Sequence, residues 1–209
     1  MSNLFKDFSS GDTIIEVLIA VTVFSMIAVG GISIMNQGAA TAQRSLEITL
    51  VRQEIDAQAE ALRFLNANFV SEYVNGKDDY GTLSDTWTTL SELAKNTIKL
   101  TPFGVANGKK CSDIIPVNTG FVINTRNLKY QPIKGISSSE SLATYSKINY
   151  DVQNIDSIDG LWIEAVKGEE SPAASTGYID FHIRACWESI GQSFPMTIGT
   201  IVRLYEPRS

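Results

Sequence analysis

The chain has 209 residues, 44% of them hydrophobic, and carries a net charge of −6 from 17 basic and 23 acidic side chains. This length and composition allow one globular domain of ordinary size plus an extended element. The acidic balance argues against a nucleic-acid binder, which needs a basic surface to neutralise phosphates. We therefore expect no direct nucleic-acid partner.

The longest apolar run extends from Val17 to Met35 and contains no charged residue and no proline. As a helix it would be about 28 Å long, close to the thickness of the hydrocarbon core of a bilayer. A helix buried in a soluble core rarely runs this far without a polar face. The run therefore predicts a membrane segment, which could be a conventional signal peptide, an uncut single-pass anchor or a more specialised element.

Glu16 lies at the start of this apolar run. An unpaired charge inside a bilayer costs several kcal/mol, so an ionisable residue at such a position is a candidate for function. A signal peptide would also need a more basic start and a clear cut site. Neither a signal peptide nor a plain anchor gives a reason for this carboxylate.

The stretch from Gly11 to Ala20, GDTIIEVLIA, resembles the processing site of type IV prepilins. That family includes the pseudopilins of type II secretion and of DNA-uptake systems. Its pattern is a short polar leader that ends in Gly, followed by an apolar helix whose fifth mature residue is Glu. Gly11, Glu16 and the apolar run match this pattern together. The first mature residue would be Asp12, where the family usually has Phe or Met.

The resemblance implies a mechanism. A prepilin peptidase in the membrane would cut between Gly11 and Asp12, and the family methylates the new amino terminus. The subunit would stay in the membrane as a single-pass protein, with its head outside the cytoplasm, until it joins other pilin subunits in an extracellular surface filament. Glu16 would meet the amino terminus of a neighbouring subunit, and such a buried pair sets register more than it adds stability.

The same resemblance implies a division of the chain. Residues 1–11 would be the cleaved leader, 12–38 the transmembrane and assembly helix, and 39–209 a pilin-like head. A pilin, a minor pilin and a pseudopilin all remain open. None of the three requires a cofactor. The competing interpretation is an enzyme or ligand-binding domain held by an ordinary uncut anchor.

The helical pattern continues beyond the apolar run. Apolar residues recur at steps of three and four from Leu46 to Tyr73, with charged residues largely between them, which predicts an amphipathic helix with one face on a core. No proline occurs between Met1 and Pro102. One helix from about Thr13 to Val74 is therefore expected.

The pair Asn75-Gly76 should end this helix. A shorter helix capped at Ser84 or Asp85 is predicted to follow and to end at Lys95. Strands are expected at Phe121–Asn124, Ser146–Val152, Leu161–Val166, Tyr178–Trp187 and Thr197–Tyr205, with loops at Gly168–Gly177 and Glu188–Pro195. The fold class predicted is therefore α+β, with a long N-terminal helix packed on an antiparallel sheet.

Cys111 and Cys186 are the only cysteines. In an oxidising compartment they would close a loop of about 75 residues and stabilise the fold by ~3–4 kcal/mol, whereas in the cytosol they would be two buried thiols. The resemblance places the head outside the cytoplasm, and family members often carry such a bridge. It therefore favours a Cys111–Cys186 disulfide.

Motifs for catalysis or metal binding are absent from the sequence, so we expect no catalytic residue, no metal site and no enzyme. His182 is the only histidine and is interpreted as a sheet residue that faces solvent or is hydrogen-bonded. Trp162 is predicted to lie in the core and Trp87 to be exposed. Acidic residues that could attract calcium are interpreted as solvated turns; they are Asp78, Asp79, Asp151, Asp156 and Asp159.

Overall fold

A computed structural model describes residues 12–76, 81–97, 100, 102, 110–138, 145–168 and 177–207. The predicted leader and most of the predicted loop after Gly168 lie outside these ranges. The chain forms two compact units, which divide between Gln43 and Arg44. The division predicted from the sequence was between residues 38 and 39.

Helix α1 extends without interruption from Asp12 to Val74, which confirms the prediction of one long helix. It ends where predicted, because Gly76 adopts a φ of 63° and its amide donates to the Tyr73 carbonyl at 3.2 Å. A left-handed residue that closes a helix is most often Gly, which has no Cβ to clash.

Helix α2 extends from Thr82 to Asn96. The prediction that Ser84 or Asp85 caps it is wrong, because the N-cap residue is Gly81 and no side chain of that turn caps the helix. The stabilising carboxylate comes from Glu72 near the end of α1. It accepts hydrogen bonds from the Gly81 amide and from the Ser84 hydroxyl. A negative group at the positive end of a helix is favourable wherever in the chain it originates.

The head contains a five-stranded sheet in the order β2-β1-β6-β7-β8 and a smaller sheet in the order β3-β5-β4. Every pairing in the larger sheet is antiparallel, which confirms the α+β prediction. The strands are β1 (Phe121–Asn124), β2 (Lys129–Pro132), β3 (Ser137–Ser138), β4 (Ile148–Tyr150), β5 (Ile155–Ile158), β6 (Leu161–Lys167), β7 (Tyr178–Trp187) and β8 (Met196–Tyr205). The sequence did not predict β2, β3 or β5, and β4 is shorter than the predicted Ser146–Val152.

Strands β7 and β8 form the predicted hairpin, with register running from Tyr178 opposite Tyr205 to Trp187 opposite Met196. The predicted inner face of β7 is buried at every position: Ile179, Phe181, Ile183, Ala185 and Trp187. The opposite face is partly covered as well, since Arg184 and Cys186 are also buried.

The core lies between the second half of α1, helix α2 and the larger sheet. Trp87 is 1% exposed and its ring lies between those of Phe69 and Phe181, with centroids 6.1 and 5.8 Å apart. The prediction that Trp87 is exposed is therefore wrong, because the tryptophan face of α2 turns toward the sheet. Trp162 is also 1% exposed, as predicted.

Candidate processing and assembly site

The first part of α1 has an apolar surface that no described residue covers. Between Ile14 and Met35 its large hydrophobic side chains range from 49% exposed at Val23 to 77% at Met35. Among the described helices, α1 is long and apolar enough to cross a membrane, and 0% of its most apolar window is buried. A core helix of a soluble domain would be mostly buried, so this segment is not part of the core of this chain.

Glu16 is exposed within this segment, and no hydrogen bond or ion pair joins it to any residue that the structure describes. Two other polar side chains nearby are satisfied inside the helix. The Thr22 hydroxyl donates to the Ile19 carbonyl at 2.8 Å and the Ser25 hydroxyl donates to the Val21 carbonyl at 2.7 Å. Such local bonds allow hydroxyls to enter lipid at little cost, whereas a carboxylate in lipid is costly unless it is paired.

The predicted processing residues lie at the start of the same helix. Asp12 is the first residue of α1, and Gly11 lies outside the described residues. A cut between the two would therefore release a chain whose helix begins at its amino terminus.

The predicted disulfide is present. Cys111 and Cys186 are bonded, with Cα atoms 5.5 Å apart and a sequence separation of 75 residues. The bridge joins a short 3-10 helix, Cys111–Asp113, to the end of β7. It also leaves no free cysteine, so a thiol nucleophile for His182 does not exist in this chain.

A buried carboxylate on α1 lies close to the same end of β7. Glu47 is 3% exposed, and its Oε2 accepts hydrogen bonds from the Trp187 indole at 3.2 Å and the Ser189 hydroxyl at 2.6 Å. Both donors closely follow Cys186 in sequence, so the disulfide and Glu47 together restrain the segment from Cys186 to Ser189. Sequence analysis missed this contact, since a Glu between apolar helix positions resembles a solvent-facing residue.

Gln58 of α1 hydrogen-bonds to strand β1 in the way that a neighbouring strand would. Its amide nitrogen donates to the Ile123 carbonyl and its amide oxygen accepts from the Ile123 N–H, both at 2.9 Å. The contact is fully buried. Strand β1 pairs with β6 only at Phe121, so Gln58 satisfies the backbone where the two strands separate.

Charged side chains on the outer face of β7 are paired. Arg184 donates to the buried Glu164 at 2.8 Å, and Arg203 donates twice to Asp180, at 2.7 Å each time. The Arg203 hydrogen bonds hold the pKa of Asp180 below its ordinary value. Burial, reinforced by the charge of Arg184, lowers the pKa of His182, which favours the neutral imidazole at pH 7.

Nothing in the described ranges assembles three His, Cys, Asp or Glu side chains as a metal site would. Of the acidic residues considered for calcium, Asp78 and Asp79 lie outside those ranges. Asp159 is buried, and this burial raises its pKa despite the nearby charge of Lys147. The head has shallow grooves, of which one, of about 300 Å³, is lined by Lys110, Phe194 and neighbouring residues.

Comparison with known proteins gives no relative from which to transfer a function. No protein-family model matches the chain, and no curated protein and no solved structure is significantly similar to it. A long apolar N-terminal helix followed by an antiparallel sheet that packs on its second half is compatible with a pilin-like fold.

Proposed function

We propose that this protein is a structural subunit, a pilin or minor pilin, of a type IV pilus-like surface filament. It is processed after Gly11 and assembles through the apolar first part of α1. The observation that carries this proposal is a long apolar helix, uncovered by any described residue, with a carboxylate near its start, Glu16, that has no partner in the described ranges.

The uncovered helix supports the proposal because it cannot remain in water. Burial of apolar surface is worth about 25 cal/mol per Å², and a helix that is apolar on all sides belongs in lipid or among other helices. The helix of a filament subunit occupies these two environments in turn, first the membrane and then the helical centre of the filament. The head retains its own core in each environment.

Glu16 supports the filament over a plain anchor. Burial of an unpaired carboxylate costs free energy, and pairing with a positive group offsets that cost. A partner from another subunit would therefore explain why a carboxylate occurs at this position. Processing after Gly11 would create that partner, because the new amino terminus is positively charged near neutral pH. An uncut anchored domain would leave Glu16 without such a partner.

A pseudopilin of a secretion or DNA-uptake system is the second candidate. It would use the same helix, the same cut and the same Glu16. Asp12 at the first mature position, where major pilins usually have Phe or Met, favours a subunit with a specialised role over a main subunit. The peptidase, the membrane and other pilin subunits are the partners in either case.

Substitution of Glu16 tests the assembly role. The variant Glu16→Ala should remain in the membrane and be processed but enter filaments at a reduced level, measured by immunoblot of the sheared filament fraction. Thr22→Val is the matched control, because the Thr22 hydroxyl is already satisfied within the helix. Filament incorporation of Glu16→Ala equal to that of Thr22→Val would refute the role of Glu16 in register.

A further inference from the structure

Strand β8 lies at the edge of the larger sheet and pairs on one side only, with β7. Its pairing with β7 is continuous over all 10 residues of the strand, from Met196 to Tyr205, without a shift of register. The middle of the strand, Gly199 to Ile201, is exposed. A long, regular and exposed edge strand presents a row of backbone N–H and C=O groups to which another strand can bond.

The ladder between β7 and β8 shows which backbone groups of β8 point outward. The Glu206 amide donates to the Gly177 carbonyl at 2.9 Å, one step beyond the last pair of the two strands. Residues of an antiparallel strand bond alternately to one neighbour and to the other side. The even-numbered residues of β8 therefore bond to β7. Consistent with this, the outward carbonyl of Tyr205 accepts a hydrogen bond from the Asn66 side chain. The other outward residues are Thr197, Gly199, Ile201 and Arg203.

The features that usually block an edge strand are missing from β8. Strand β2, at the opposite edge, has four residues and ends in Pro132, which has no N–H. Strand β8 has no proline, and its one charged residue is Arg203. The Arg203 guanidinium donates to Asp180 on β7 and lies 4.0 Å from the centre of the Tyr178 ring. It is therefore directed over β7 and leaves the edge open.

The outward groups of β8 can be matched by a second copy of the same strand. An antiparallel pairing centred on Thr200 places Thr197 opposite Arg203 of the other copy and Gly199 opposite Ile201. Each of these residues presents one N–H and one C=O outward, so every group finds a partner in this register. The two arginines are well separated, because each lies opposite a threonine.

The same register also matches the side chains on the face of the sheet that packs against the helices. It places Ile198 opposite Val202 and Met196 opposite Leu204, while Thr200 lies opposite its own copy. Pairs of β-branched and apolar side chains across neighbouring strands stabilise a sheet. The sequence of β8 is therefore complementary to itself on both faces.

We propose that β8 pairs antiparallel with β8 of a second copy of this chain, joining the two larger sheets into one. Such a contact has two-fold symmetry and closes after two copies. Neighbours within one helical filament all have the same polarity, whereas a two-fold axis reverses one head relative to the other. The pairing therefore joins heads that are not neighbours in one filament, and it does not depend on the proposed filament function.

Cysteine cross-linking of the full-length chain in detergent tests the pairing. Both native cysteines are in the disulfide, so Thr200→Cys introduces a single free thiol. Opposite residues of a non-hydrogen-bonded pair have Cα atoms about 4.5 Å apart, which a disulfide can span. Thr89→Cys, at an exposed threonine of α2, is the matched control for random collision. Mild oxidation followed by non-reducing electrophoresis measures the covalent dimer.

Two further changes, each added to Thr200→Cys, test whether strand pairing holds the copies together. Ile201→Pro removes an outward N–H and leaves every hydrogen bond to β7 in place. Ile201→Lys retains the N–H but brings two like charges to diagonal positions across the pair. Tryptophan fluorescence shows whether each variant is folded, and Ile201→Lys decides the result if the proline variant does not fold.

We expect a covalent dimer with Thr200→Cys, little with Thr89→Cys, and loss of the dimer in both double variants. Equal dimer yields from Thr200→Cys and Thr89→Cys would overturn the inference. A dimer that persists in the folded double variants would also overturn it, because the contact would not be a strand pairing. A disulfide from Thr200→Cys to a different protein in native cells, without the homodimer, would show that another chain occupies the edge and would overturn it as well.

Discussion

The two halves of α1 have the same secondary structure and opposite surroundings. From Ile14 to Met35 the helix is apolar all round and exposed, whereas from Val51 to Leu65 it buries one face against α2 and the sheet. Among the described residues, nothing packs over the first half, whereas α2 and the sheet pack against the second half. The difference shows that helix formation alone does not define a domain. Under the proposed function the first half depends on lipid or on other subunits, whereas the second half forms part of a head with its own core.

The largest expected effect is a loss of stability on truncation of a buried side chain, which should occur in the second half of α1 and not in the first. Leu62 is fully buried in the head, so Leu62→Ala should lower the free energy of unfolding of the head by about 2–5 kcal/mol through lost burial and a residual cavity. Leu18→Ala makes the same side-chain change in the exposed half, where Leu18 is 60% exposed, and should leave that free energy unchanged. Denaturant titration followed by the fluorescence of the buried tryptophans measures both. Equal losses in the two variants would contradict the division.

Loss of the disulfide should come next. The double variant Cys111→Ser/Cys186→Ser removes a constraint on a long loop and should reduce stability by about 3–4 kcal/mol. Because Trp187 and Ser189 lie beside Cys186, amide hydrogen exchange should increase first in residues 187–189. Exchange in the exposed half of α1 should not change. Faster exchange in the exposed half of α1, and not in residues 187–189, would contradict a role of the disulfide in stabilising the head.

A smaller effect is expected at Gln58. Gln58→Ala leaves the Ile123 N–H and carbonyl buried without partners and should cost about 1–3 kcal/mol. Gln53 lies on the same helix and is exposed, so Gln53→Ala should change stability by less than about 0.5 kcal/mol. Thermal or denaturant unfolding of the two variants compares them. An unchanged free energy of unfolding in Gln58→Ala would mean that water satisfies the Ile123 N–H and carbonyl in place of the Gln58 side chain.

The smallest effect should come from the partly exposed pair of Asp180 and Arg203. The pKa of Asp180 is lowered in the fold, so its stabilisation is present above the unfolded pKa, about 3.9, and is lost as pH falls through the folded pKa. Asp180→Asn should therefore be less stable than the unaltered protein at pH 7 and equal to it at strongly acidic pH. Asp156→Asn, at an exposed carboxylate of β5, controls for the change in net charge.

Elements with a strong local pattern could be predicted from sequence. The bounds of β1 and β7 agree with the prediction, and those of α1 and β8 differ by one residue at one end. Strand β2, with the sequence KYQP, has no alternation to reveal it, and β5 is only four residues long. These short strands depend on tertiary partners. The Gln131 side chain, for example, hydrogen-bonds to the Ile155 backbone in both directions.

The candidate site was predictable only in its local part. Glu16 stands out because a charge in an apolar run is anomalous in sequence alone. Glu47 and Gln58 do not, because a polar residue between apolar helix positions usually faces water, and their partners lie 140 and 65 positions away in the chain. Trp87 was misplaced for the same reason, since its burial depends on how α2 packs on the sheet.

Intact-mass and amino-terminal peptide mass spectrometry of protein from native cells tests the central claim most directly. The account predicts a mature chain that begins at Asp12, with or without a methyl group on its amino terminus. A Gly11→Leu variant should retain the leader. A native chain that still begins at Met1 or Ser2 would contradict processing, and with it the assignment of this protein as a filament subunit.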